Sequence, residues 1–328
     1  MGKSIRAAAA AVWLGLLLAV PAWAAGPERL VPLGKTVGLE LETDGVYVVK
    51  LEGEDSPAQS AGLRAGDRIL SVNGAPLERA QALREQVKRG GQVILEIERN
   101  GSRMSFALEP EQREGSLWLG LRVRDRVAGL GTLTFYDPET GLFGALGHGV
   151  NDGGGGLLEI RGGQAAEARL SGVRRGEIGA PGTLLGQGDP GPALGRVEQN
   201  TERGLFGHAA DEALAGEALP LAARSQVRTG PAEILCSLED GQTRRYSVEI
   251  EAVRLDAEQC RDLRLVVTDP RLLELTGGIV QGMSGSPILQ DGRLVGAVTH
   301  VLVRDPTRGY GILIGHMLEA AEAADRAA

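Results

Sequence analysis

Aromatic residues are scarce in this chain of 328 residues, where Phe, Trp and Tyr together make up 3%. A core without rings rests on aliphatic side chains. With 49 glycines also present, that points to short strands joined by tight turns rather than to large helical layers. Cysteine is scarcer still: Cys236 and Cys260 are the two, neither in a C-x-x-C or C-x-H pattern, so nothing local supports a metal site. One bridge and two free thiols both stay open. An excess of positive charge is missing as well. The formal net charge of -8 excludes broad binding to nucleic acid or to an anionic membrane surface and fits simple solubility. Long apolar runs are confined to the N-terminus, where residues 7–20 carry no charge, a stretch short of the roughly 20 residues of a stable span.

What is present begins with that N-terminal run. Lys3 and Arg6 precede it, Pro21 ends it, and Ala22-Trp23-Ala24 offers an A-x-A cleavage site. Residues 1–25 therefore read as a signal peptide or an N-terminal anchor, and the rest of the chain is expected to work outside the cytoplasm. Apolar residues at 42% are enough for packed cores, and the length suits about two domains.

Residues 30–110 form the first unit. Alternation over residues 37–41 and 45–51 predicts strands, Ser56-Pro57-Ala58 opens a short helix, and Asn73-Gly74 makes a hairpin turn. Leu83 and Val87, four apart, give residues 77–88 helical spacing that Gly90-Gly91 ends. The stretch from Ser56 through Ala61-Gly62-Leu63-Arg64-Ala65-Gly66-Asp67-Arg68-Ile69-Leu70 to Asn73-Gly74 resembles the bacterial PDZ signature along its whole length. The resemblance implies a β-rich α+β domain that adds an extended peptide to a sheet edge. It places Val37, Gly38 and Leu39 on the binding strand, with Leu83 and Val87 on the opposite wall. The alternative is that these side chains only hold the small domain together. Residues 111–116, charged and following Pro110, read as a linker.

From residue 117 to 328 the texture is glycine-punctuated short strands, predicting a mainly β barrel or sandwich, with a helix over residues 316–327. The sharpest local signal is Gly282-Met283-Ser284-Gly285-Ser286-Pro287, similar to the segment around the nucleophile of trypsin-like peptidases. A nucleophilic hydroxyl needs a tight turn with small neighbours, and the amides of Gly282 and Ser284 could then converge on an oxyanion. Ser286 is the rival nucleophile. A serine needs a base, and of the four histidines His148, between glycines in Gly147-His148-Gly149, is the best placed. His208 falls in a loop, His300 on the strand after the nucleophile, and His316 at the start of the terminal helix. For the orienting carboxylate the sequence leaves Asp152, Asp189, Asp211, Asp240, Asp256, Asp262 and Asp269.

Taken together, the export segment, the PDZ unit, Ala145-Leu146-Gly147-His148-Gly149, Thr268-Asp269-Pro270, Gly277 to Pro287, and Leu294 to Gly311 resemble the stage IV sporulation protein B peptidase family. That resemblance implies a PDZ domain followed by a chymotrypsin-like double β-barrel. It implies a catalytic set of His148, Asp269 and Ser284 and needs no cofactor or metal. It also implies an exported serine endopeptidase that cuts itself and a membrane-associated regulatory complex between forespore and mother cell, leading to pro-sigma factor processing. Asp269 lies only fifteen residues before Ser284, nearer than the trypsin template places its aspartate. Two other functions fit part of the pattern. An HtrA-like envelope quality-control protease shares both modules but puts the protease first. A PDZ scaffold with an inactive barrel would lack the catalytic set. Protein or peptide partners are expected, and nucleic acid is not.

Overall fold

The computed structural model describes residues 27–152, 156–187, 191–210, 214–239, 241–254 and 260–326. The expected signal peptide or anchor at residues 1–25, Asp189, Asp211, Asp240 and Asp256 lie outside the described residues. No helix among the described residues is long and apolar enough to cross a membrane.

The longest element is β1 (Arg29–Leu51), a single strand where the sequence suggests two. Its first half belongs to one domain and its second half to another. Gly45, at φ +92°, takes up the irregularity between them, and the register against the neighbouring strand slips between Glu42 and Tyr47. The second half enters the PDZ unit with β2 (Arg68–Val72), β3 (Val93–Arg99) and β4 (Ser102–Leu108). The helices α1 (Pro57–Ala61) and α2 (Ala80–Lys88) pack on these strands. Ser56 caps α1 and Gly62 closes it in the left-handed region, the helix punctuation that the sequence signature encodes. Leu83 and Val87 are buried in an aliphatic core with Val48, Ile69, Leu95 and Leu119.

The chain leaves the PDZ unit by β5 (Leu121–Tyr136), which runs antiparallel to β1 through both of its halves. Residues 111–116, expected to be a linker, instead form a tight hairpin of Glu111–Arg113 against Ser116–Trp118. Arg113 lies over the Trp118 ring at 4.3 Å. The PDZ unit is thus an insertion between two strands of the following domain, and the expected boundaries at 30, 110 and 117 are corrected accordingly.

The first barrel is closed by β1, β5, β6 (Leu142–Ala145), β7 (Ile160–Glu167), β8 (Ala193–Thr201) and β9 (Gly204–Ala209). The pairings run β1–β5–β6–β9–β8–β7 and return to β1. The second closed barrel contains β10 (Gly230–Ser237), β11 (Thr243–Val253), β12 (Leu263–Val267), β13 (Pro287–Gln290), β14 (Arg293–Leu302) and β15 (Asp305–Leu313). The double barrel is therefore present, with β1 contributing its opening strand. Both barrels are filled by Leu, Ile and Val, with Phe135, Phe143 and Phe206 fully buried in the first. The short helix α3 (Pro270–Thr276) lies between β12 and the nucleophile segment. The terminal helix α4 (Ile314–Asp325) packs on β14 and β15 and on the first barrel through β8 and β9. A buried contact anchors it: His316 Nδ1 lies 2.7 Å from Asp262 Oδ2.

Candidate active site

His148 and Ser284 line one cavity of about 440 Å³ between the barrels, together with Gly282, Thr299 and His300. The backbone that delivers His148 is unusual. β6 is followed by Leu146 and Gly147, both with positive φ, +68° and +71°. A non-glycine residue in that region is uncommon and marks local strain that surrounding structure must hold. Here Thr132 does so, its carbonyl accepting from the Leu146 amide at 3.2 Å. After the histidine, Asn200 clamps the chain. Its Oδ1 accepts from Val150 N at 2.9 Å, and its Nδ2 donates to the carbonyls of Val150 and Leu158 at 2.8 Å each.

The nucleophile segment is held by the opposite barrel. Thr132 N donates to the Ser284 carbonyl at 3.0 Å, and Thr132 Oγ1 to the Gly282 carbonyl at 2.8 Å. Gly285 sits at φ +95° where a Cβ would fall 2.0 Å from the Thr132 carbonyl oxygen, so no side chain fits there. The amides of Gly282 and Ser284 bond no other backbone group among the described residues. They are available to a developing oxyanion. Ser286, the rival nucleophile, is fully buried with its hydroxyl unpartnered. Ser284, by contrast, is partly exposed and lines the cavity.

His148 Nδ1 lies 2.9 Å from the Gly149 carbonyl. A carbonyl only accepts, so Nδ1 carries the hydrogen and Nε2 keeps its lone pair. Burial pushes the His148 pKa down, opposed by that same backbone bond. That direction favours the neutral ring. His300 stacks beside it, with ring centroids 5.0 Å apart and a 36° tilt. Its pKa is pushed down to about 4 by burial, then by His148 and Arg261. Ser284 Oγ donates to the Thr299 carbonyl at 2.8 Å. That hydroxyl is not bonded to His148, and contacts between catalytic groups often tighten only when substrate is bound.

Asp269 stands apart from this cavity. It is the N-cap of α3 and accepts from Arg271 N at 2.9 Å and from Ser247 N at 3.2 Å. Both of its oxygens also bond the Arg271 guanidinium, at 3.1 and 2.8 Å. The Arg271 bond, with help from the two amides and against burial, holds its pKa down to about 2. This arrangement contributes stability present above the unfolded value near 3.9 and lost as pH falls toward about 2. The cap and a half-exposed ion pair are worth about 1 to 2 kcal/mol together. Asp269→Asn is expected to lose part of that, seen as a lower melting temperature at neutral pH with a smaller difference at about pH 2.5. Peptide cleavage per folded molecule is expected to stay within about tenfold. A loss of several orders of magnitude with the fold intact would return Asp269 to the catalytic set.

The remaining candidates have other partners. His208 lies on β9, not in a loop, and pairs with Glu198. Asp262 pairs with His316, and Asp152 accepts from the Gly156 amide in the loop after His148. Cys236 and Cys260 are both free and buried, and burial raises both thiol pKa values, that of Cys260 to about 11. No group of acidic, His or Cys side chains among the described residues could hold a metal ion.

The PDZ expectations need one change. Val37, Gly38 and Leu39 are bonded on both edges, to β5 through Gly131, Leu130 and Gly129, and to β7 through Glu167, Ala166 and Ala165. They are interior barrel residues and cannot accept an added strand. Beside α2 lies the start of β5 instead. Asp125 Oδ2 accepts from the first amide of α2 at 2.9 Å, and Leu121 and Val123 pack against the Leu83 and Val87 cluster.

A profile of the SpoIVB peptidase S55 family matches residues 115–318, most of the chain. The chain belongs to that family. A PDZ domain profile matches residues 48–99. The curated relatives are similar over shorter stretches. Zinc metalloprotease RasP of Shouchella clausii (strain KSM-K16) is 31% identical over 141 residues, covering 38% of this chain and 33% of the relative. Regulator of sigma-E protease RseP of Escherichia coli (strain K12) is 35% identical over 97 residues, 29% of this chain and 21% of the relative. Serine protease HTRA3 of Homo sapiens is 35% identical over 69 residues, 21% of this chain and 15% of the relative. The chain thus matches a third or less of each relative's length. A solved PDZ domain of an SdrC-like protein from Listeria monocytogenes covers 24% of this chain and 87% of its own, at 22% identity and a TM-score of 0.22.

Proposed function

We propose that this member of the family is an endopeptidase whose nucleophile is Ser284 and whose general base is His148. The observation that carries the reading is the shared cavity: a partly exposed serine on a glycine turn and an imidazole whose Nδ1 is engaged by the Gly149 carbonyl line the same space. Ser284 Oγ attacks the scissile carbonyl while His148 Nε2 takes its proton. The new C–O bond pushes negative charge onto the carbonyl oxygen, which the Gly282 and Ser284 amides receive. His148 then returns the proton to the leaving amine. Water repeats the sequence to free the acyl group. The Gly149 carbonyl fixes the imidazole tautomer, the task a carboxylate performs in the Ser-His-Asp arrangement.

The cleft walls come from Leu39, Leu41, Leu130, Leu146, Ile279 and Val280, with no carboxylate or cationic side chain among its lining residues. An aliphatic cleft accepts an apolar side chain next to the cut bond. The family resemblance and the charge-free residues 7–20 after Lys3 and Arg6 support a wider role. In it, the protein is exported across the cytoplasmic membrane and cleaves itself and a membrane-associated regulatory protein in the space between forespore and mother cell, leading to pro-sigma factor processing.

The chemistry is tested by inhibitor class. Cleavage of an apolar peptide substrate by the purified protein is expected to stop with a fluorophosphonate and to continue with a zinc chelator. The opposite pattern would overturn the serine mechanism.

A further inference from the structure

One strand borders both the catalytic cavity and the PDZ helix. Along one edge β5 pairs with β1 over its whole length. Its other edge is taken by β6 only at Leu133, Phe135 and Tyr136. From Leu121 to Gly131 no strand bonds that second edge among the described residues. The near end of this free edge, residues 121–125, runs beside α2. The far end, Val127 to Leu130, lines the cavity that holds His148 and Ser284.

An unpaired strand edge is a row of backbone donors and acceptors, and its natural partner is another extended polypeptide. Proteins commonly blunt such edges with proline or inward charges. Here the stretch nearest the cleft carries Ala128 and Gly129, both exposed, which leave the backbone open to close approach. The charge at the near end favours an acidic occupant. Arg84, Lys88, Arg89 and Arg122 are exposed there, and none has an ion-pair partner among the described residues.

We propose that substrate docks as an added strand along this free edge, so that the segment C-terminal to the cut bond spans from the catalytic cleft to the groove beside α2. The occupant is an extended substrate tail whose far end is acidic. The inference rests on Ser284 and His148 being the catalytic pair. Direction follows from the turn at Gly120, φ +75°, immediately before Leu121. PDZ grooves hold the carboxylate end of a peptide at the loop that opens the groove strand. The tail therefore runs antiparallel to β5, from Leu130 back to Leu121. Nine steps at about 3.3 Å give a reach of roughly 30 Å, so a tail of about nine or ten residues fills the track.

The test uses the mature protein and quenched fluorogenic peptides that share one apolar cleavage segment and carry acidic-ended tails of about 4, 7, 10 and 14 residues, lengths set by that reach. The inference expects kcat/KM to rise at least about tenfold up to the tail of roughly ten residues and then to level off, each added pair of strand bonds contributing modestly. N-methylation of alternate tail amides should lower kcat/KM in one parity and leave it unchanged in the other, because only every second amide faces β5. Equal kcat/KM for all lengths, or losses indifferent to parity, would overturn it. Anisotropy with Ser284→Ala protein and the same labelled tails separates the two layers. It is expected to reproduce the length and parity pattern without cleavage. Cleavage by Ser284→Ala would sink the catalytic pair, and a flat binding series would sink the track.

Discussion

Ser284→Ala is expected to lower kcat toward apolar peptides by at least about 10⁴-fold while leaving the melting temperature within a few degrees. The size follows from the role: removing a triad-type nucleophile leaves only what oxyanion donors and binding supply. The small effect on folding follows from the contacts. Ser284 is partly exposed, and its hydroxyl makes one bond, to the Thr299 carbonyl. The backbone bond from Thr132 N to the Ser284 carbonyl survives the change. The same assay on Ser286→Ala should show near-normal kcat, because that side chain is buried away from the cleft. Retained activity in Ser284→Ala would refute the assignment.

His148→Ala is expected to cost a comparable factor, and the wild-type pH profile should carry its signature. Burial lowers the His148 pKa below 6.5, so the acid limb of kcat/KM should fall below that value. The sign for stability is the same. Below pH 6.5 the unfolded chain binds a proton that the folded ring resists, so stability declines as pH falls through that range. His148→Ala should lose both this stability slope and the activity. His300 sharpens the expectation. Its own pKa is near 4, so the two stacked rings are both neutral at neutral pH, and a limb in the normal range or above would mean that His148 is not the base. His300→Gln is expected to leave the limb in place and lower kcat/KM less than about tenfold.

The sequence makes the proposed catalytic pair legible because its backbone geometry demands glycine. Gly282 and Gly285 around Ser284, and Gly147 before His148, all take positive φ, and such requirements leave a mark that spacing alone can show. The partners that hold those turns are not legible in the same way. Thr132 and Asn200 are polar residues in strands, and nothing local distinguishes a clamp from a solvated side chain. Asp269 shows the opposite hazard. Thr268-Asp269-Pro270 carries two meanings at once, a catalytic aspartate by family likeness and an N-cap before proline by helix chemistry. In the structure its bonds are those of the cap.

The PDZ boundary was hidden for a related reason. Alternation over residues 37–41 announces a strand but is silent about which strands will flank it. A barrel strand and a peptide-binding edge read alike, because the difference lies in long-range pairing with residues 126–131 and 162–167. The helix that carries Leu83 and Val87 is legible from their spacing, as is the mainly β texture of the rest, whereas their burial in the core reads the same in sequence as the groove wall that the PDZ likeness implies. That β1 passes through both domains depends on Gly45 and a slipped register, which no local pattern records.

The central claim is that one cavity, formed where Thr132 of the first barrel grips the Gly282 to Gly285 turn of the second, holds the reactive serine and its base. Fluorophosphonate labelling of the mature protein, with the modified residue located by peptide mass spectrometry, tests it most directly. A single adduct on Ser284, absent in Ser284→Ala and slowed by at least about 10³-fold in His148→Ala, is the predicted result. An adduct on any other serine, or none on protein shown to be folded by its melting transition, would contradict it.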